Sequence, residues 1–353
     1  MTDALTTVLA RLRDAVRTEA DGDPYGDTDV TWREPGPGYR PEDLNALVDD
    51  HWEPERARTV ATLADGADGA DGEGLAAVYA DVLRRCLVMR GELTGEERLK
   101  LGRYRDLVRG TGTFADPVTG AVRPVPADGP MLRAYRERRA AYLSAELGHN
   151  LARAAGGPDW AEHGDRYRDA VKRARDAWIC SGYRDELDQV VTYLRGVTER
   201  DLVRWRRYLV ELCDSARVDT AGGSFHLSSL VPGDLSADSL WHEVRLDGIT
   251  LRVARAEVSR PWFLPVFLHG RGWALPGDEL VCDGGDPPSG RLVRYPTAVL
   301  LARDLRLDPA LACDATTWGP FTLGVPGLQV IGTVDRRLGR VPDPSPGQLG
   351  KLV

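Results

Sequence analysis

Lysine is almost missing from this chain. Of its 46 basic residues only Lys100, Lys172 and Lys351 are lysines, and asparagine occurs only at Asn45 and Asn150. Such a skew reads as coding bias, so clusters of surface arginine carry little weight by themselves. Cysteine is sparse as well. Cys86, Cys180, Cys213, Cys282 and Cys313 are widely spaced, odd in number and free of any CxxC, which argues against a disulfide scaffold or a zinc knuckle. No apolar run approaches 18 residues, so no segment reads as a membrane span. The opening MTDALTTVLARLRD lacks the basic and apolar regions of a secretory signal, and the expectation is a cytoplasmic protein.

An excess of positive charge is also lacking. The net charge is −8 and the pI about 5.4, whereas phosphate-backbone binding needs a clustered positive field, so no nucleic-acid partner is expected. The acidic surplus sits early: residues 1–130 hold 25 acidic and 16 basic side chains, residues 131–217 hold 14 and 17, and residues 218–353 hold 15 and 13. GxSxG, GxxxxGK[ST], HExxH and a post-strand GxGxxG are all absent, which weighs against P-loop hydrolysis and dinucleotide chemistry. Neither a metal nor a cofactor is implied.

What is present divides by period. Leu5, Val8, Leu9, Leu12 and Val16 recur at helical spacing over residues 3–20. Residues 21–40 read as a loop. Its Asp21, Asp23, Gly26, Asp27 and Asp29 echo a calcium loop, but Trp32 stands where a bidentate Glu is required, so an acidic turn is the better reading. A helix is expected over 41–64, and the ADGADGADGEG run reads as a solvated linker. Helices follow at 75–91 and 94–109, the second opening on a capping box, Thr94 to Glu97. Residues 110–130 read as a small hairpin or irregular loop.

Four more helices are expected. The one over 131–155 sets Leu132, Tyr135, Tyr142, Leu143, Leu147 and Leu151 on one face and ends at Gly156-Gly157-Pro158. The one over 159–180 carries Tyr167, Val171, Ala174 and Trp178. A third covers 183–195, and a fourth, opened by Thr198-x-x-Asp201, buries Leu202, Trp205, Leu209 and Leu212. The period then drops to two. Val244 and Leu246, then Ile249, Leu251 and Val253, alternate with charged residues around Asp247-Gly248, a hairpin signal. Further strands are expected at 279–282, 291–295, 298–306, 320–324 and 328–334.

These periods predict an α+β chain: several antiparallel helices followed by a mostly antiparallel β-sandwich or partly open barrel. The expected divisions are a helical segment with an acidic loop (1–66), a linker (67–74), a helical region (75–216), a β-rich domain (217–345) and an extended tail (346–353).

Three functions compete. The leading expectation is a non-enzymatic binding or assembly protein, with a protein partner or self-association. Its contact would be the aromatic segment holding Arg260, Trp262, Phe263, Phe267 and Trp273, the densest apolar stretch in the chain. Those residues read equally as a core anchor under the sheet. The second is a hydrolase or transferase with a pocket built from His226, His242, His269 and Cys282. His226 lies in an alternating strand and reads as a surface residue. The third is an effector touching membranes through the same aromatics. Arg303-Asp304 places charge in an apolar strand and invites an ion pair with Arg255 or Arg260.

Four features together carry a resemblance: Trp178-x-x-x-Gly182-Tyr183-x-x-Glu186, Ser259-Arg-Pro-Trp-Phe263, Gly319-Pro-Phe-Thr-Leu323, and Pro326-Gly-Leu-Gln-Val-Ile-Gly332. Over about residues 160–345 the chain is similar to a set of uncharacterised microbial proteins with a helical N-terminal part and an RPWF-containing β part. The resemblance brings no activity with it; it implies that the helical and β parts form one unit.

Overall fold

A computed structural model describes residues 2–17, 28–45, 47–48, 51–66, 73–89, 91–116, 119–198, 200–246, 248–270, 272–308, 317–323 and 325–341. The chain is α+β. Among the described residues, eight helices of more than two turns are α1 (Thr2–Val16), α2 (Pro54–Asp65), α3 (Leu75–Arg85), α4 (Gly95–Val108), α5 (Pro130–Ala155), α6 (Gly157–Ser181), α7 (Arg184–Thr198) and α8 (Leu202–Ala216). The largest sheet has six strands: β1 (Thr28–Trp32), β2 (Ser229–Val231), β3 (His242–Leu246), β4 (Ile249–Ser259), β5 (Arg294–Leu307) and β6 (Gln329–Arg337).

All pairings in that sheet are antiparallel, in the order β1-β6-β5-β4-β3, with β2 on the C-terminal end of β4. Val30 faces Val334, Leu301 faces Val330, Ala254 faces Leu301, and Val244 faces Leu251. The sheet is neither a closed barrel nor half of a sandwich, because helices cover both of its faces. Ala254, Ala256, Val258, Val299 and Leu301 pack with Ala57, Val60 and Leu63 of α2. Leu251, Val253, Ala298 and Leu300 pack on the other side with Val8 and Leu12 of α1 and Leu147 and Leu151 of α5. Alternation along a strand thus feeds the sheet's own core on both faces rather than a core and a solvated face.

The helix-then-strand order holds only in part. Residues 28–32, expected in a loop, add an edge strand to a sheet whose other strands come some 200 residues later. Thr28, Val30 and Trp32 have the β-branched and aromatic character of a strand, and Gly332 lets Trp32 and Thr31 lie close: a Cβ there would meet Thr31 O at 2.7 Å. The helix expected over 41–64 is instead a 3-10 turn (Pro41–Leu44), a two-residue strand pair and α2, which Pro54 starts because its missing N–H costs nothing at the first helical position. Residues 109–115 and 122–128 do form a hairpin. Thr94 and Glu97 make the expected capping box. Of the Thr198-x-x-Asp201 pair, Asp201 caps the last helix, accepting from Arg204 N at 3.2 Å, while Thr198 ends the helix before it. Residues 279–282 are not a strand, and the 291–295 and 298–306 candidates fuse into β5. The acidic positions 21–27, most of the linker, Asp247, Cys313 and the tail lie outside the described residues.

A second core belongs to α3, α7, α8 and the RPWF segment. Trp262, Phe263, Phe267 and Trp273 are all buried within it. Tyr79 of α3 meets Phe263 edge-on at 4.9 Å, and Phe267 stacks on Trp273 at 5.3 Å. The indoles of Trp262 and Trp273 donate to Leu227 O and Phe267 O, both at 2.8 Å. Satisfied donors and full burial make these rings a core anchor, so they form no exposed aromatic patch.

Leu301 is fully buried at the centre of the sheet. Leu301→Ala is expected to lower unfolding free energy by about 2–5 kcal/mol in urea titrations. Val122→Ala, at a position 69% exposed, is expected to change it by no more than about 0.5 kcal/mol.

Candidate functional site

Strand β4 runs through the middle of the molecule, and its last seven residues are all buried. Two of them are charged. Arg255 donates through Nε to Glu257 Oε1 at 3.1 Å and through its terminal nitrogen to Val16 O at the end of α1 at 3.0 Å. The other oxygen of Glu257 receives Arg139 from α5. Two residues on, Ser259 Oγ donates to Asp128 Oδ2 at 2.9 Å, and Arg136 of α5 pairs with the same oxygen at 2.7 Å. Helix α5 is therefore fastened to the end of β4 directly by Arg139–Glu257 and, one helical turn away, through Arg136–Asp128 and its bond from Ser259.

Beside this seam lies a cleft of about 510 Å³. Helix α5 lines it with Leu132, Tyr135, Arg136, Arg139 and Tyr142, a single i, i+3, i+4, i+7, i+10 stripe. Helix α6 adds Arg175 and Trp178, and α7 adds Arg184 and Asp188. The sheet supplies Glu257, Tyr295, Thr297 and Arg336, and the chain leaving β4 supplies Arg260 and Phe263. Six arginines thus share one cleft with two carboxylates, those of Asp188 and Glu257.

The arginines differ in what answers them. Arg136 and Arg139 are paired to Asp128 and Glu257. Arg260 is 5% exposed, and its terminal nitrogen donates to the carbonyls of Ala64 and Pro296, the latter at 2.6 Å. Its Nε has no hydrogen-bond partner among the described residues. Burial pushes its pKa down to about 10, so it still carries its charge at neutral pH. The floor of the cleft is therefore a buried cation met by carbonyl dipoles.

The outer wall is aromatic. Trp178 is 6% exposed, stacks on Tyr142 at 5.3 Å and meets Tyr135 edge-on at 5.5 Å. The guanidinium of Arg184 lies over the indole, 5.1 Å from its centroid. The indole Nε1 has no hydrogen-bond partner among the described residues. The tight turn from α6 to α7 that brings Arg184 over Trp178 requires Gly182, where a Cβ would lie 2.6 Å from Trp178 O and 2.9 Å from its ring.

The residues expected to act together are spread apart. Of the five proposed contact residues, Arg260 and Phe263 line the cleft, while Trp262, Phe267 and Trp273 are buried in the second core. His226 approaches Cys213, at 3.5 Å, and not Cys282. It is half-buried rather than freely exposed, its ring 5.0 Å from that of Trp262. Burial holds the His226 pKa down at about 4 and pushes the Cys213 thiol up to about 12, so the pair is neutral and has no thiolate to offer. Cys282 is buried, donates to Leu338 O at 3.3 Å, and burial raises its pKa too. His242 lies on β3 with Nε2 3.0 Å from Ser144 Oγ; Gly148 of α5 makes room for its ring, since a Cβ there would sit 2.6 Å from Nδ1. His269 follows the short Pro265–Leu268 helix, half-buried. Arg303 pairs with Asp238 and covers Trp241 at 4.3 Å, while Arg255 takes Glu257 as its partner. No group of three His, Cys, Asp or Glu residues placed to hold a metal occurs among the described residues. No helix among them is long and apolar enough to cross a membrane.

Of the cleft residues, Tyr135, Tyr142 and Trp178 were visible in the sequence as helix-face positions. The arginines were present but undistinguished among the chain's 46 basic residues. Only Arg260, next to the aromatic run, stood out.

His226 and His242 both have folded-state pKa values lowered by burial, that of His226 to about 4. Below the ordinary histidine range the unfolded chain then binds more protons than the folded one, so stability falls as pH drops from about 6.5 toward 4. His226→Gln is expected to reduce the loss in unfolding free energy between pH 7.5 and 5, measured in urea at each pH. An equal loss in both proteins would mean that His226 is not held neutral by the fold. No family model, curated protein or solved structure matches this chain, and the cleft is read from its own residues.

Proposed function

We propose that this is a binding protein whose arginine-lined cleft takes a small anionic ligand. The observation that supports it is Arg260: a buried, charged guanidinium at the cleft floor, answered by two carbonyls and by no carboxylate within ion-pair distance among the described residues. Asp65 and Asp335 act on this buried charge only from beyond ion-pair distance, and a ligand anion in direct contact would neutralise it in a low-dielectric setting where the pairing counts most. Arg336 and Arg175 add positive charge around the same cavity. Guanidinium forks suit phosphate and carboxylate oxygens geometrically. A volume of about 510 Å³ falls in the range of small-molecule sites, roughly 300–1,000 Å³.

The binding role expected from the RPWF segment is kept in this reading but moves from an exposed surface to a cleft, with Arg260 and Phe263 as its contribution. A nucleophilic Cys/His reading is disfavoured by the neutral Cys213–His226 pair and the buried Cys282.

Isothermal titration with inorganic pyrophosphate tests the proposal. The expected result is saturable binding that weakens as salt rises from 50 to about 200 mM, because Coulombic attraction is screened. Arg260→Met and Arg336→Gln are each expected to weaken it at least tenfold, about 1.4 kcal/mol. Wild-type protein that takes up no pyrophosphate at millimolar concentration, or variants that bind it as well as wild type, would overturn the proposal.

A further inference from the structure

The cleft has two chemically different ends, and a bare anion would use only one of them. We infer that the ligand is a nucleoside phosphate: its phosphate is held at the Arg260 floor, and its base enters between Arg184 and Trp178. This rests on the anion-binding reading above.

Charge argues for phosphate over a single carboxylate. Six arginines line the cavity against two carboxylates of its own lining, Asp188 and Glu257, with Asp128 pairing Arg136 from beside it. A monocarboxylate would leave the cavity strongly positive, whereas a phosphate dianion or a longer phosphate chain balances more of it. Each oxygen also accepts from more than one N–H, which suits several converging guanidinia.

The outer end argues for a planar ring. Tyr135, Tyr142 and Trp178 build an aromatic wall beside the arginines. Tyr142 is 6% exposed and packed with Leu143 and Trp178, so it is fixed. The group over the indole that can move is Arg184, half-buried at the first turn of α7, on a long flexible stem. A nucleobase replacing it would gain the stacking that Trp offers to bases, and the displaced guanidinium can stack on the outer face of the base or turn to the phosphate. The unpartnered Trp178 Nε1–H, more than nine-tenths buried, adds a donor for a ring or sugar oxygen. The side-chain guanidinia here do the work that a glycine-rich loop does in P-loop proteins, which explains why no such motif marks the sequence.

Three probes separate the ring from the anion: inorganic phosphate, ribose 5-phosphate and a purine nucleoside 5′-monophosphate, each titrated calorimetrically into the full chain. The nucleotide is expected to bind at least tenfold tighter than ribose 5-phosphate, which should bind close to phosphate. Trp178→Leu is expected to erase that advantage and leave phosphate affinity within about twofold. Because Trp178 is buried, a second measurement stands beside this variant: an 8-azido purine nucleotide should photolabel wild-type peptides carrying Trp178 or Arg184. Equal affinity for all three probes, or labelling confined to other peptides, would overturn the nucleoside inference while leaving an anion site in place. Failure of all three to bind would remove the anion site itself.

Discussion

The fold turns on one ionic seam inside the sheet. Strand β4 is covered on both faces, yet it carries Arg255 and Glu257 at its buried end. Two charges in that position must be satisfied completely, since removing either partner strands the other. Arg255 reaches across to the last carbonyl of α1, and Glu257 takes Arg139 from α5. The seam therefore fixes the N-terminal helix, the longest helix and the central strand relative to one another. Once α5 is held there, its stripe from Leu132 to Tyr142 faces the sheet end, and the cleft is the space left between them.

That geometry also explains why the aromatic segment after β4 divides in two. Pro261 ends the strand, and the chain turns so that Arg260 and Phe263 stay at the cleft while Trp262 goes under it. Trp262, Phe267 and Trp273 then tie α3 and α8 to the sheet, each large ring buried and both of the outer indoles hydrogen-bonded. The same short stretch serves as the anchor of one core and the floor of a cavity. Its hydrophobic density is thus a packing requirement, and Arg260 is the part left over for chemistry.

Periodicity carried much of the local structure. The stripe Tyr167, Val171, Ala174, Trp178 lies where a 3.6-residue period puts it, and Val171 and Ala174 do pack with Trp178 against Tyr142 and Leu143. The Thr94–Glu97 box caps its helix, and the hairpin around Gly248 pairs in the register that the alternation implies. Alternation left one matter open: it does not say which charged positions of β4 meet water, and Arg255 and Glu257 neutralise each other beneath α5. His226, expected on a solvated strand side, is half-buried against Trp262 and Cys213 of α8.

By itself the sequence determined the α+β class, most helix extents and the central hairpin, because these depend on neighbours within a few residues. Tertiary structure alone decided that residues 28–32 complete the sheet, that helices rather than a second sheet cover both faces, and that six arginines from three helices and the sheet end converge on one cleft. Pairing between Val30 and Val334 or Arg139 and Glu257 spans more than a hundred residues of chain. No local period encodes such contacts; they follow from where packed surfaces bring distant side chains together.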